Sequence, residues 1–165
     1  DTIWGIGCDA TNAEAVQRVY KIKQRADSKA LIILTDSEAK VEYYVSEVPE
    51  TAWQLLDVAV KPLTLIYPGA RNLATNLLAD DGSIAIRIIH DEFCNKLINM
   101  MNKPLVSTSA NFSGEPTPLI YSKIKPAIID QVDYAVNFNR ARIKEVKSST
   151  VIKFTDDAVY IVLRA

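Results

Sequence analysis

Apolar side chains recur along this chain at two different periods, and each change of period marks the border of an element. Behind Asn12, a residue suited to capping, Ala13, Val16, Val19, Tyr20 and Ile22 follow helical spacing and predict an amphipathic helix over 13–23. Its end delivers Lys23 and Arg25 into the next loop. The apolar run from Leu31 to Leu34 fits a buried strand, with Asp36 as the cap of a helix near 37–44. Pro49 suits the first turn of a further helix that carries Trp53, Leu55, Leu56 and Val60. Residues 3–7 look like a strand end running into a glycine loop. Strands are also expected at 63–67 and 84–89, the second with Ile84, Ile86 and Ile88 on one face and Arg87 on the other. A capped helix follows over 91–101, then a strand over 105–107 that empties into a polar stretch, then a short helix over 125–131 held to a start at Pro126. The last third reads as strands at 134–137, 150–154 and 159–163. Helices alternating with short strands imply a layered α/β domain, and the adjacent late strands make its sheet mixed.

Length and composition narrow the class. At 165 residues the chain is expected to be a single domain, 1–165. A hydrophobic share of 48% and a charged share of 24% are those of an ordinary soluble globular protein. No uninterrupted apolar run approaches the roughly 20 residues that span a bilayer, so no membrane association is expected. Nineteen basic side chains against twenty acidic ones give a net charge of -1, so any contact with RNA must use a local patch. Cys8 and Cys94 stand far apart with no neighbours at zinc-ligand spacing, which predicts two buried or half-buried thiols in a reducing cytosol. The chain opens at Asp1 directly in a Thr-aromatic-Gly stretch, so its N terminus is expected to be incomplete, with a strand and part of a site upstream.

Four segments could carry chemistry. In Ser107 to Gly114, just after a predicted strand, six of eight residues are small hydroxyl, amide or glycine types able to hydrogen-bond a phosphate-rich ligand, although the same residues also favour plain turns. Lys23-Gln24-Arg25, with Lys29 four residues beyond Arg25, sets two cations one residue apart where they can converge on a polyphosphate or merely complement a helix dipole. Arg87 sits among Ile84, Ala85, Ile86, Ile88 and Ile89, so it calls for an anionic partner, either a structural carboxylate or a ligand. His90, the one histidine, has no obvious carboxylate-serine companion in sequence, which argues against a serine-histidine hydrolase. The opening Asp1 to Thr11 combines hydroxyls with two glycines but lacks the Rossmann and P-loop spacings, so an ATP site here is of another kind.

Taken in order, these segments resemble the YrdC-like family of threonylcarbamoyl-AMP synthases over essentially the whole chain. Asp1 to Ala10 is similar to its P-T-D-T-x-Y-G-L-G segment without the leading Pro-Thr, Lys23-Gln24-Arg25 to its K-x-R element, and Ser109-Ala110-Asn111 to its S-x-N element. Arg87 resembles its central-strand arginine, and Ser148-Ser149-Thr150-Val151 with Arg164 its closing S-T-V and L-R segments. The chain departs from the pattern at Ala26, at Lys29-Ala30 and at Ala59-Val60-Lys61-Pro62-Leu63-Thr64, none of which removes a charged group.

The resemblance implies a YrdC-like layered α/β fold, a twisted mixed β-sheet flanked by helices. It also implies a nucleotidyltransferase that turns L-threonine, bicarbonate and ATP into threonylcarbamoyl-AMP and pyrophosphate, for N6-threonylcarbamoyladenosine modification of tRNA. On this reading Lys23, Arg25, Ser109 and Asn111 are the catalytic, ATP-binding residues, with Ser107, Ser113 and Arg164 around them. Arg87 takes the threonine carboxylate, with Thr2, Lys29 and Ser149 as neighbours. ATP is a substrate and Mg²⁺ rides on its triphosphate, not in a protein cage. Partners are tRNA and the threonylcarbamoyl-transfer machinery, and the location is cytoplasmic. The alternative is a double-stranded RNA, tRNA or ribosome-maturation binding module on the same fold without turnover; a relative working through carbamoyl-adenylate is a further rival. Lys23→Ala is expected to abolish turnover and leave the fold intact, because a loop cation is not core.

Overall fold

In the computed structural model, which describes residues 2–25, 31–141, 149–155 and 159–164, the first helix begins where its capping residue predicts. In α1 (Ala13–Lys23), the Asn12 side chain accepts from the N–H groups of Glu14 and Ala15, and Gln24 ends the helix in the left-handed conformation at φ 50°. Its buried stripe is Val16, Val19, Tyr20, Ile22 and, unexpectedly, Lys23. The other helices are α2 (Glu38–Tyr44), α3 (Glu50–Asp57), α4 (Glu92–Met101) and α5 (Pro126–Ile129). Asp91 caps α4 by accepting from the Cys94 N–H. Asp36 does not cap α2. Ser37 holds that position without a side-chain bond, and Asp36 pairs instead with Lys40 Nζ at 2.8 Å.

The strands are β1 (Gly5–Ile6), β2 (Ile32–Thr35), β3 (Leu63–Tyr67), β4 (Ile84–Ile88), β5 (Leu105–Ser109), β6 (Thr150–Phe154) and β7 (Tyr160–Arg164). They form one sheet in the order β1-β5-β2-β4-β3-β6-β7. The β2–β4 and β3–β6 pairs are parallel and the others antiparallel, so the sheet is mixed as expected. β5 runs two residues beyond its expected end because β1 pairs with it, Gly5 opposite Ser109 and Ile6 opposite Thr108. The chains come so close beside this pair that a Cβ on Gly7 would lie 2.4 Å from the Val106 carbonyl. The strand expected at 134–137 does not form. The Ala135 and Val136 carbonyls accept from the Arg140 guanidinium, at 2.6 and 3.0 Å, and not from a neighbouring strand.

Because side chains alternate across a pleated sheet, its two faces can be read from the pairing. One face carries Ile33, Ile84, Ile86, Val106, Leu65, Tyr67, Ile152 and Phe154, packed with Val16, Val19 and Tyr20 of α1 and Val41 and Tyr44 of α2 into the main core. The other face has a smaller cluster, in which Leu34 and Ile89 meet Ile98 of α4, flanked by Ile32, Cys94 and Leu105. That second face also holds the polar residues described below. Among the described residues, no helix is long and apolar enough to cross a membrane.

Candidate active site

Two polar groups form where strand ends and loops meet. The first joins the end of α1 to the end of β5. Lys23, the last residue of α1, is 2% exposed, and its Nζ donates to the Ser109 carbonyl at 2.5 Å and the Asn111 carbonyl at 2.8 Å, with Ser109 Oγ at 3.5 Å. Ser113 N–H returns a bond to the Lys23 carbonyl at 2.9 Å, so the lysine latches helix and loop from both ends. Burial, followed by repulsion from Arg25, brings the Lys23 ammonium down from 10.5 to about 8. An ammonium has three protons. Two are committed to carbonyls, and the third points toward Ser109 Oγ or toward an incoming anion.

Asn111 completes this group in an unforeseen way. Its Nδ2 donates to the carbonyls of Phe112 (3.0 Å) and Glu115 (2.7 Å), which uses both amide hydrogens. Its Oδ1 is buried with no hydrogen-bond partner among the described residues. The residue therefore offers an acceptor, which suits an amine and repels phosphate oxygen. Asn111 also lines a cavity of about 220 Å³ with Ala110, Glu115, Pro116, Pro118, Lys123 and Lys125.

The second group lies across β4, β3, β6 and β7. Leu34 pairs with Arg87, and the β3–β4 register carried one residue further sets Thr64 opposite Arg87. Thr64 pairs with Val151, and a register shift between Val151 and Ile152 brings Arg164 opposite Val151, so Arg87, Thr64 and Arg164 share the second face of the sheet. Ser149, just before β6, is buried and clasped twice by Arg164, Nε donating to its carbonyl at 2.8 Å and Nη2 to its hydroxyl at 3.1 Å. The Ser149 and Thr64 hydroxyls lie 2.9 Å apart. Burial lowers the Arg87 pKa from its ordinary value; the Cys94 thiol works the other way, and Arg164 lowers it further. Two guanidiniums near enough to repel, one of them buried, have the chemistry that suits an anion.

Ser107 lies between the groups in sequence register: it pairs with Ile32, itself opposite Ala85, and so stands on the face of Arg87, two strand spacings across and two residues along, roughly 12 Å away. Arg25 is half-buried just past α1. Thr2 is half-buried two residues before Trp4, whose carbonyl accepts from Ala110 N–H, and the networks above do not reach it. Ser113 is exposed. Lys29 lies outside the described residues. The sequence reading missed Thr64, although a hydroxyl inside Leu63–Tyr67 was a visible signal. It also misjudged Lys23, which is buried on the helix and not a loop cation. Cys8 and Cys94 form no disulfide among the described residues and are half-buried as expected, and burial with nearby Asp9 pushes the Cys8 thiol up to about 12.

This arrangement has known counterparts. Residues 1–165 match the model of the Sua5/YciO/YrdC family, which is described as telomere recombination. A threonylcarbamoyl-AMP synthase of Pseudoalteromonas translucida is 32% identical over 140 residues, 83% of this chain and 75% of that protein. A putative threonylcarbamoyl-AMP synthase of Methanocaldococcus jannaschii is 33% identical over 160 residues, 96% of this chain and 73% of that protein. The crystal structure of P. abyssi Sua5 complexed with L-threonine superposes with a TM-score of 0.79 at 27% identity. The superposition covers 99% of this chain but 47% of that one, so the chain spans about half the length of that protein. With a family match along its whole length, relatives above 30% identity and the same fold, this chain belongs to the Sua5/YciO/YrdC family.

Proposed function

We propose that this chain is the catalytic domain of an L-threonylcarbamoyladenylate synthase, making threonylcarbamoyl-AMP and pyrophosphate from L-threonine, bicarbonate and ATP. The observation that carries the reading is the convergence of residues distant in sequence, Lys23 with Ser109 and Asn111, and Arg164 with Ser149 near Arg87, at two places on one sheet. The relatives named threonylcarbamoyl-AMP synthase support it over an RNA-binding module without turnover.

The threonine nitrogen attacks the carbon of bicarbonate and water leaves, giving a carbamate, and a carbamate oxygen then attacks the α-phosphorus of ATP as pyrophosphate leaves. No covalent enzyme intermediate is needed; the protein positions the reactants, excludes water and stabilises charge. The third proton of Lys23, with Arg25 and the Ser107 and Ser109 hydroxyls, serves the phosphates. The buried Asn111 Oδ1 accepts from an amine, as the adenine base carries. Arg87 takes the threonine carboxylate next to Ser149, with Thr2 and Lys29 as further neighbours, and Arg164 holds Ser149 in place. Mg²⁺ belongs to this reading as an ion carried by triphosphate oxygens; among the described residues no group of three or more His, Cys, Asp or Glu is placed to hold one. The unstable adenylate calls for a partner that transfers its threonylcarbamoyl group to tRNA, in the cytoplasm. The test is pyrophosphate release from ATP with threonine and bicarbonate supplied together or singly. Release that requires both supports the reading, and release no greater than with ATP alone refutes it.

A further inference from the structure

Thr64 has no place in the roles above, yet its position is hard to explain by packing alone. It is 1% exposed near the start of β3, between Leu63 and Leu65, where valine would fill the same space without a hydroxyl to desolvate. The hydroxyl lies 2.9 Å from Ser149 Oγ. Ser149 Oγ also accepts from Arg164 Nη2, since a guanidinium can only donate. Arg164 Nε fixes the Ser149 carbonyl as well. The chain of contacts thus runs from β3, through Ser149 at the start of β6, to Arg164 at the end of β7, and Thr64 is the member anchored in the middle of the sheet. The register sets that anchor opposite Arg87 on β4.

We propose that Thr64 is a positioning residue: its hydroxyl pins Ser149, and through it Arg164, at a fixed place beside Arg87, so that a small carboxylate ligand meets a preformed cleft between them. Thr64 itself does not touch the ligand. Two arginines on one sheet face repel each other, and a serine clasped at carbonyl and hydroxyl resists the drift of Arg164 only if the serine is itself held. Thr64 supplies that hold. The inference deepens the functional reading above and rests on it for the identity of the carboxylate, threonine.

The experiment compares Thr64→Val, which keeps the shape and removes the hydroxyl, with Thr64→Ser, which keeps the hydroxyl. Pyrophosphate release gives KM for threonine, KM for ATP and kcat, while titration calorimetry gives threonine affinity without turnover. Thr64→Val is expected to raise the threonine KM and Kd about threefold to tenfold, the loss that one neutral hydrogen bond predicts, while the ATP KM and thermal midpoint stay near wild type. Thr64→Ser is expected to remain within about twofold of wild type on threonine. Wild-type threonine constants in Thr64→Val overturn the inference, as does equal damage by both substitutions or a parallel rise in both KM values. A wild-type protein that neither turns over nor binds threonine overturns the functional reading instead, and the inference with it.

Discussion

Replacing Lys23 with methionine keeps the length of the side chain and removes its charge. In the folded protein the ammonium satisfies the Ser109 and Asn111 carbonyls, so the substitution strips two charge-assisted bonds from a nearly inaccessible site. Such a change costs about 2–4 kcal/mol, reduced to about 2 kcal/mol because the buried charge no longer has to be desolvated. The pH dependence is more diagnostic. The Lys23 pKa is lowered from 10.5 to about 8, so between those values the unfolded chain holds a proton that the folded chain has released. Stability rises with pH wherever the unfolded state binds more protons. The wild type should therefore gain on Lys23→Met as pH climbs through that window, by at most about 2 kcal/mol at about pH 9.5. Urea unfolding of both proteins, from neutral to alkaline pH, measures the gap directly. A gap that stays constant or closes with rising pH would mean that the ammonium is not held in a desolvated site. Lys23→Ala should destabilise still more, contrary to the expectation that the fold would be indifferent to it.

Gly7→Ala should lower stability by about 2 kcal/mol, since its Cβ would meet the Val106 carbonyl at 2.4 Å, whereas Gly82→Ala, with nothing within 4 Å, carries only the strain of its φ of +73°. A thermal midpoint for Gly7→Ala at or above that of Gly82→Ala contradicts the close approach. Asp81 accepts from Lys153 and from Ser83, which hold its carboxyl down from 3.8 to about 2. Its contribution is therefore present above about pH 4 and lost as pH falls through about 2; with the side chain half exposed it amounts to less than about 1 kcal/mol. Asp81→Asn should thus differ slightly from wild type near neutral pH and converge with it in acid or high salt, and a difference that persists in acid would exclude this source.

The sequence was most informative where local rules decide the outcome. α1 and α4 follow from a capping residue and a helical stripe, and β3 and β4 from apolar runs, so their bounds fall within a residue or two of expectation. Residues 134–137 carry the same strand-like composition, but Arg140 takes two of their carbonyls, a contact no local pattern announces. The alternation of Ile84, Ile86 and Ile88 with Arg87 predicted a two-faced strand, and that is what forms. Its neighbours were not legible. That Thr64 faces Arg87 depends on strand order, and strand order depends on the whole chain. Lys23 looked like a surface charge because nothing in its own segment reveals that the Ser109–Asn111 carbonyls close over it. For the same reason the family motif could name Asn111 but not foretell that its free group is an acceptor.

The alternation in β4 also ties correct folding to binding. If β4 slipped by one position against β2 and β3, Arg87 would enter the layer now filled by Ile84 and Ile86, and an isoleucine would take its place beside Arg164. The misaligned chain would bury a cation among apolar side chains and separate Arg87 from Arg164 in the same step. Such a chain would be less stable than the native one, so the register that buries the isoleucines is also the one that sets Arg87 near Arg164.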